Sequence, residues 1–150
     1  MSRVFKVPSS TTFTVFYSVD SAVGTGCPNV RDDVLLVQFF LLRLMDDDVK
    51  GNGGFIPPGE QPITIDGTFG RQTATYIKFF QQETIRRTVG PSDNRVDPMK
   101  GNLRSPTGGF LYTMTSFNFE YFNRQGSGFH ANISIDPLFP AELKKHLFVG

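Results

Sequence analysis

The chain has 150 residues, of which 39% are hydrophobic and 19% charged, and a formal net charge of +1. That length fits one domain and can bury a core without staples, and the charged share is too low for a self-repelling disordered chain. The near-neutral balance argues against the strong basic field that non-specific nucleic-acid binding requires.

Residues 1–8 hold no long apolar run, so no secretory signal is expected. The longest apolar stretch, residues 34–45, is broken by Gln38 and Arg43 and falls short of the roughly 20 apolar residues of a membrane span. The sequence therefore predicts synthesis in the cytoplasm without a signal peptide, and no membrane partner. Residues 12–19 alternate, with Phe13, Val15, Tyr17 and Val19 on one face, which predicts a strand. Gly24, Gly26 and Pro28 then break regular structure. Cys27 between them is the single cysteine, so no intrachain disulfide can form. With only His130 and His146 beside it, a Cys/His zinc cluster is not expected.

Asn29 is placed to cap a helix over residues 30–45, whose first turn carries Asp32 and Asp33. Val34, Val37, Leu41, Leu44 and Met45 form one apolar stripe of it, and Leu35, Phe39 and Leu42 a second. A helix apolar on two faces is expected at the centre of the fold. Residues 46–62 read as a loop. Its Asp46-Asp47-Asp48 run lacks the alternation and closing glutamate of a calcium loop. Its Gly51-Asn52-Gly53-Gly54 run lacks the Gly-Lys-Ser/Thr of a phosphate loop.

A second helix is predicted over residues 71–83, and a long loop over 89–109. Residues 110–124 read either as helix, through Phe110, Met114, Phe117 and Tyr121, or as strand, through Phe117, Phe119 and Tyr121. Phe129, Ala131, Ile133 and Ile135 alternate, which predicts a strand ended by Pro137. A terminal helix over residues 140–148 is expected, with Pro140 at its start and Lys144, Lys145 and His146 at its negative end. The strands over 12–19 and 129–135 are expected to pair with each other or with a neighbouring subunit.

The most specific stretch is Asp66-Gly67-Thr68-Phe69-Gly70-Arg71-Gln72-Thr73, followed by an apolar helix to Phe80-Gln81. Asp66 suits a tight turn by accepting backbone N–H bonds, and Gly67 supplies a positive φ. On that reading Asp66, Gly67, Phe69, Gly70 and Thr73 are structural. This stretch resembles the peptidoglycan-binding-like domain family, whose members carry such an Asp-Gly-x-Phe/Val-Gly-x-x-Thr turn before a helix ending in Phe-Gln. Upstream, residues 33–44 with their Asp33-Val34, Gln38 and leucine repeats are similar to the family's first helix.

The resemblance covers roughly residues 18–85, and residues 110–124 would supply the family's third helix after an insertion. Together with the strands and terminal helix read above from residues outside it, the resemblance implies a fold that is mainly α with added β. In that fold a three-helix peptidoglycan-binding-like core over residues 18–124 is flanked by β-strands and a C-terminal helix within residues 1–17 and 125–150, all in one domain. It implies a non-catalytic protein that binds peptidoglycan. Arg71, Gln72, Tyr76 and Phe79 on one side of the second helix would be the ligand-binding residues, since sugar recognition wants an aromatic face beside amide and charged groups; the alternative is that Tyr76 and Phe79 pack as core under the inserted loops.

The alternative is a structural subunit of a phage tail or contractile-injection-type particle, carried to the cell wall by release or injection. Such a subunit would meet copies of itself or other proteins through the flanking strands. An enzyme is not expected. Glu60, Glu83, Glu120 and Glu142 lack a catalytic spacing, and Ser92-Asp93-Asn94 has no Ser-x-x-Lys before it. No catalytic residue, metal or cofactor is therefore expected. The sequon Asn132-Ile133-Ser134 has no meaning without a secretory route.

Overall fold

In the computed structural model, which describes residues 3–6, 15–45, 54–85, 93–99, 112–145 and 148–149, the helix with two apolar stripes lies at the centre. The elements run β1 (Arg3–Lys6), β2 (Val15–Ser18), β3 (Val23–Gly24), α1 (Arg31–Leu44), α2 (Arg71–Ile85), β4 (Arg95–Val96), α3 (Thr113–Gln125), α4 (Ser127–Ala131), two 3-10 turns (Ile133–Ile135 and Ala141–Lys145) and β5 (Phe148–Val149). The described residues are mainly helical with added strands. Both stripes of α1 are used, since Val34, Val37, Leu41 and Leu44 are buried on one and Leu35 and Phe39 on the other.

Aromatic rings join the helices. Phe40 of α1 stacks on Phe117 of α3, with centroids 5.7 Å apart and planes 13° apart. Phe80 of α2 meets Phe117 at 4.6 Å, and Phe55 packs on Phe80 at 4.6 Å. Each such ring withdrawn from water stabilises the fold by about 1.5–3 kcal/mol. Phe39 faces the other way, against Tyr121 and Phe139. Ile133, Phe139 and Leu143, from the region beyond α3, are buried in the same core.

Two small sheets flank the helices. The order of the first is β2-β1-β5. Strand β1 pairs antiparallel with β2, from Arg3↔Ser18 to Lys6↔Val15, and parallel with β5 through Arg3↔Phe148 and Val4↔Val149. In the second sheet β3 pairs antiparallel with β4. Gly24 is required there. Its φ is +152°, and a Cβ would lie 2.7 Å from the Asn94 carbonyl oxygen and 2.9 Å from Arg95 Cα.

Several expectations are corrected. Residues 129–135 are not a strand: they form the end of α4 and the first 3-10 turn. The alternation of Phe129, Ile133 and Ile135 misleads because Ile133 is buried while Ile135 is exposed, which a two-sided strand would not give. The partner of β2 is therefore β1. The terminal helix shrinks to a 3-10 turn followed by β5. Residues 110–124 resolve as helix from Thr113 onward.

The 89–109 loop contains β4, while residues 46–53, 86–92 and 100–111 lie outside the described residues, as does Phe13. Asn29 does not cap α1. Val30 holds that position without a side-chain bond. The Asn29 amide instead closes the β3 turn, taking the Gly24 N–H at 2.8 Å and donating to the Gly24 and Cys27 carbonyls. Asp33 accepts the N–H groups of Asp20 and Ser21 at 2.9 and 3.0 Å, and burial raises its carboxyl above the usual range.

Candidate functional site

The turn that carries the sequence motif is held by one side chain of α1. Gln38 is buried. Its Oε1 accepts the N–H groups of Asp66 and Gly67 at 3.1 and 2.9 Å. Its Nε2 donates to Asp66 Oδ1 at 3.0 Å, the Thr68 carbonyl at 3.1 Å and Thr73 Oγ1 at 3.0 Å. Asp66 Oδ1 also accepts the Thr68 N–H at 2.9 Å, an Asx turn. That N–H above all, joined by the Gln38 amide, outweighs burial and holds the Asp66 carboxyl below the usual carboxylate range. Gly67 sits at φ +74°, where a residue with a Cβ is strained. Asp66, Gly67 and Thr73 are thus structural, and they fix the start of α2.

The four residues of the expected binding face lie on the α2 that this turn launches, and the structure divides them. Arg71 is exposed, and its guanidinium pairs with Glu60 Oε1 at 2.9 Å. Gln72 accepts the Thr64 N–H at 3.2 Å and donates to the carbonyls of Gln61 and Pro62 at 3.4 and 3.3 Å. Tyr76 is fully buried, and its hydroxyl donates to the Gln61 carbonyl. Burial raises that phenol above its ordinary value. Phe79 is half-buried. Arg71, Gln72 and Tyr76 therefore act together, as clamps that hold residues 60–64 against α2. Tyr76 offers no open aromatic face. The surface they leave to solvent is formed by the Arg71 guanidinium, the half-buried Gln72 and Phe79, and the exposed Gln61, Thr64 and Lys78. Such a surface can offer a cation, amides and a ring edge to a neutral or anionic ligand.

A second clasp repeats the first, and the sequence reading missed it. Gln81 of α2 accepts the Asn94 N–H at 2.8 Å. It donates to Asp93 Oδ1 at 3.1 Å, the Arg95 carbonyl at 2.8 Å and Thr113 Oγ1 at 3.0 Å. Asp93 Oδ1 takes the Arg95 N–H at 3.2 Å, as Asp66 takes that of Thr68. Asn94 stands where Gly67 stands, at φ +61°. The signal available in sequence was a polar Gln within a buried helix face, followed by Asp93-Asn94.

Two further polar groups are built into the core. Asn118 of α3 pairs with the β2 backbone, accepting the Tyr17 N–H at 3.0 Å and donating to the Tyr17 carbonyl at 2.9 Å. Its Oδ1 also meets His130 Nε2 at 3.0 Å. Because the Asn118 nitrogen donates to Tyr17 and Met114, its oxygen can only accept, so His130 Nε2 carries the proton. Rings of Phe16, Tyr17, Tyr121 and Phe122 surround this imidazole. Burial pushes its pKa down to about 4, so it is neutral at pH 7.

Asp136 accepts two bonds from Arg43, one at 2.8 Å, the Tyr121 hydroxyl at 2.7 Å and the Leu138 N–H at 2.9 Å. Burial alone would raise the Asp136 carboxyl; Arg43, Leu138 and Tyr121 outweigh it and hold the carboxyl below its usual range. Burial and then Asp136 raise the Tyr121 phenol. These hydrogen bonds tie the groups into the fold, which gives them a structural role.

Among the described residues no group of three His, Cys, Asp or Glu side chains is placed to hold a metal ion. No helix among them is long and apolar enough to cross a membrane. No family model, curated protein or solved structure matches the chain.

Proposed function

We propose that this chain is a non-catalytic peptidoglycan-binding protein, built on a three-helix peptidoglycan-binding-like core over residues 18–124. The observation that supports the reading is the Gln38 clasp. The residues that carry the family resemblance, Gln38 in one helix and Asp66, Gly67 and Thr73 before and within the next, form one hydrogen-bonded unit. A resemblance spread over two segments of sequence thus corresponds to a single physical device. On this reading the wall ligand lies along the solvent side of α2. Arg71, Gln72 and Phe79 touch it, and Tyr76 supports them from beneath.

The test is retention on insoluble peptidoglycan, with sizing of the free protein. Replacing Arg71 and Phe79 together with Ala should abolish retention while the protein stays folded, with a stability loss of about 1–2 kcal/mol from the half-buried ring and the exposed ion pair. Replacing Tyr76 with Ala should instead lower stability by about 3 kcal/mol, measured by chemical denaturation. Undiminished retention of the Arg71/Phe79 variant would remove these residues from the site. Failure of the native protein to bind the wall would remove the function.

The second reading is a structural subunit of a phage tail or contractile-injection-type particle that works at the cell wall. It is favoured by the sheet, where among the described residues β1 pairs with β2 from Arg3 to Lys6 and with β5 at Arg3 and Val4. A large assembly that ignores peptidoglycan in the same experiment is the outcome that selects it.

A further inference from the structure

The solvent side of α2 holds a second cation outside the four residues of the expected face. Lys78 is exposed and lies two turns after Arg71, about 10 Å along the axis and on nearly the same side of the helix. Ala74 and Thr75 stand between them, both half-buried. Their side chains are short, and the Thr75 hydroxyl is turned back onto the Arg71 carbonyl at 2.8 Å. The two cations thus rise on either side of a low floor. The Arg71 side chain is 77% exposed and gives one nitrogen, Nη1, to Glu60, whose side chain is 15% exposed. Among the described residues, Arg71 Nε and Nη2 and the Lys78 ammonium have no partner. The same side is poor in open rings on which a sugar could stack. The chain has no tryptophan, Tyr76 and Phe80 are buried, and Phe79 is half-buried. What α2 leaves most open is positive charge. The Nε–Nη2 edge of a guanidinium matches a carboxylate in two parallel bonds, and an ammonium takes one as a point charge.

We propose that this face binds the peptide part of peptidoglycan through its carboxylates, with Arg71 taking one, Lys78 another, and the peptide lying across Ala74 and Thr75. The glycan is uncharged wherever its lactyl group carries a peptide, whereas the peptide carries free carboxylates. The spacing of the cations, about 10 Å, is the span of about three extended residues, so one short peptide reaches both. Lys78 is then a residue that sets specificity for the peptide over the sugar. The inference rests on the wall-binding reading and adds which part of the wall is held.

The test uses the full chain and insoluble peptidoglycan stripped of phosphate-bearing polymers, so that carboxylates are the anions on offer. One portion has its carboxylates converted to neutral amides, which leaves the glycan intact. Affinity should fall about tenfold or more on the amidated wall, the size of a lost hydrogen bond to a charged group. Lys78→Glu should lose a similar factor on the untreated wall, and Lys78→Arg should keep native affinity. Lys144→Glu makes the same charge change at an exposed lysine in the 3-10 turn Ala141–Lys145 and should bind as the native chain does. Circular dichroism checks that each variant is folded. Affinity unchanged by amidation overturns the proposal and assigns the glycan, while wall binding itself stands. Equal losses in Lys78→Glu and Lys144→Glu also overturn it, because net charge and not the α2 face would then decide. A native chain that fails to bind the untreated wall removes the wall-binding reading and this inference with it.

Discussion

The two glutamine clasps are built alike and differ in depth. Each uses one amide from a helix to hold an Asx turn further along the chain, the first at the start of α2 and the second at the entry to β4. Each captures an Asx turn, Asp66 or Asp93, and each reaches a threonine of the following helix, Thr73 or Thr113. The residue after the aspartate is left-handed in both, Gly67 in one and Asn94 in the other. The aspartate is exposed in both, but the Gln38 clasp closes over a buried Gly67, whereas Asn94 in the corresponding place is exposed. Geometry and energy thus come apart. Equal hydrogen bonds matter more where water cannot replace them.

The heaviest loss should come from breaking the deeper clasp. Gln38→Leu keeps the volume but leaves the N–H groups of Asp66 and Gly67 and the Thr73 hydroxyl without their partner. It should lower stability by about 3 kcal/mol, at about 1–3 kcal/mol for each of the two buried groups, the Gly67 N–H and the Thr73 hydroxyl, since the exposed Asp66 can turn to water; chemical denaturation measures it. A loss under about 1 kcal/mol would mean that water enters the turn.

A third side-chain amide, Asn118, differs from both glutamines in its partner His130. Unfolded histidine titrates near 6.5, and His130 in the fold near 4. Between those values the unfolded chain binds the proton and the fold refuses it. Stability should therefore be complete above pH 6.5 and fall by about 3 kcal/mol as the pH drops to 4. Denaturation midpoints over a pH series read this directly, and His130→Gln should flatten the slope in that window.

Gln81→Leu should cost less, about 1–2 kcal/mol, because the exposed Asn94 N–H can turn to water. If it matches Gln38→Leu, depth is not what distinguishes the clasps. The mildest change exchanges the left-handed residues. Asn94→Gly should raise stability by about 0.5 kcal/mol by relieving the left-handed strain, less the entropy glycine adds to the unfolded chain. A thermal shift resolves it, and a fall in midpoint would show that the Asn94 side chain does more than tolerate its φ.

The two clasps also mark what could be read from sequence. The first was legible because its glycine is obligatory to the eye: Asp66-Gly67 announces a turn, and Gly70 and Thr73 follow at fixed steps. The second was not, because Asn94 fills the glycine's place and Thr113 lies across a long interval. Ser92-Asp93-Asn94 drew attention only as a possible catalytic triplet. The expected binding face was legible as residue types but not as exposure. Tyr76 and Phe79 look alike in a helical pattern, yet Tyr76 is fully buried with its hydroxyl on Gln61, and Phe79 is half-buried.

Short-range sequence was enough for the local pieces. These are the doubly apolar α1, the Asp66-Gly67 turn, the start of α2 at Arg71 and the strand through Tyr17. Each depends on neighbours a few residues away, where periodicity and turn chemistry act. Tertiary packing settled the rest. Residues 129–135 alternate like a strand, yet they coil so that His130 can reach Asn118 and Ile133 the core. Residues 148–149 join β1 across almost the whole length of the chain. Such choices turn on contacts distant in sequence. Burying a ring or satisfying an amide there outweighs the fraction of a kilocalorie by which local preference favours strand or helix.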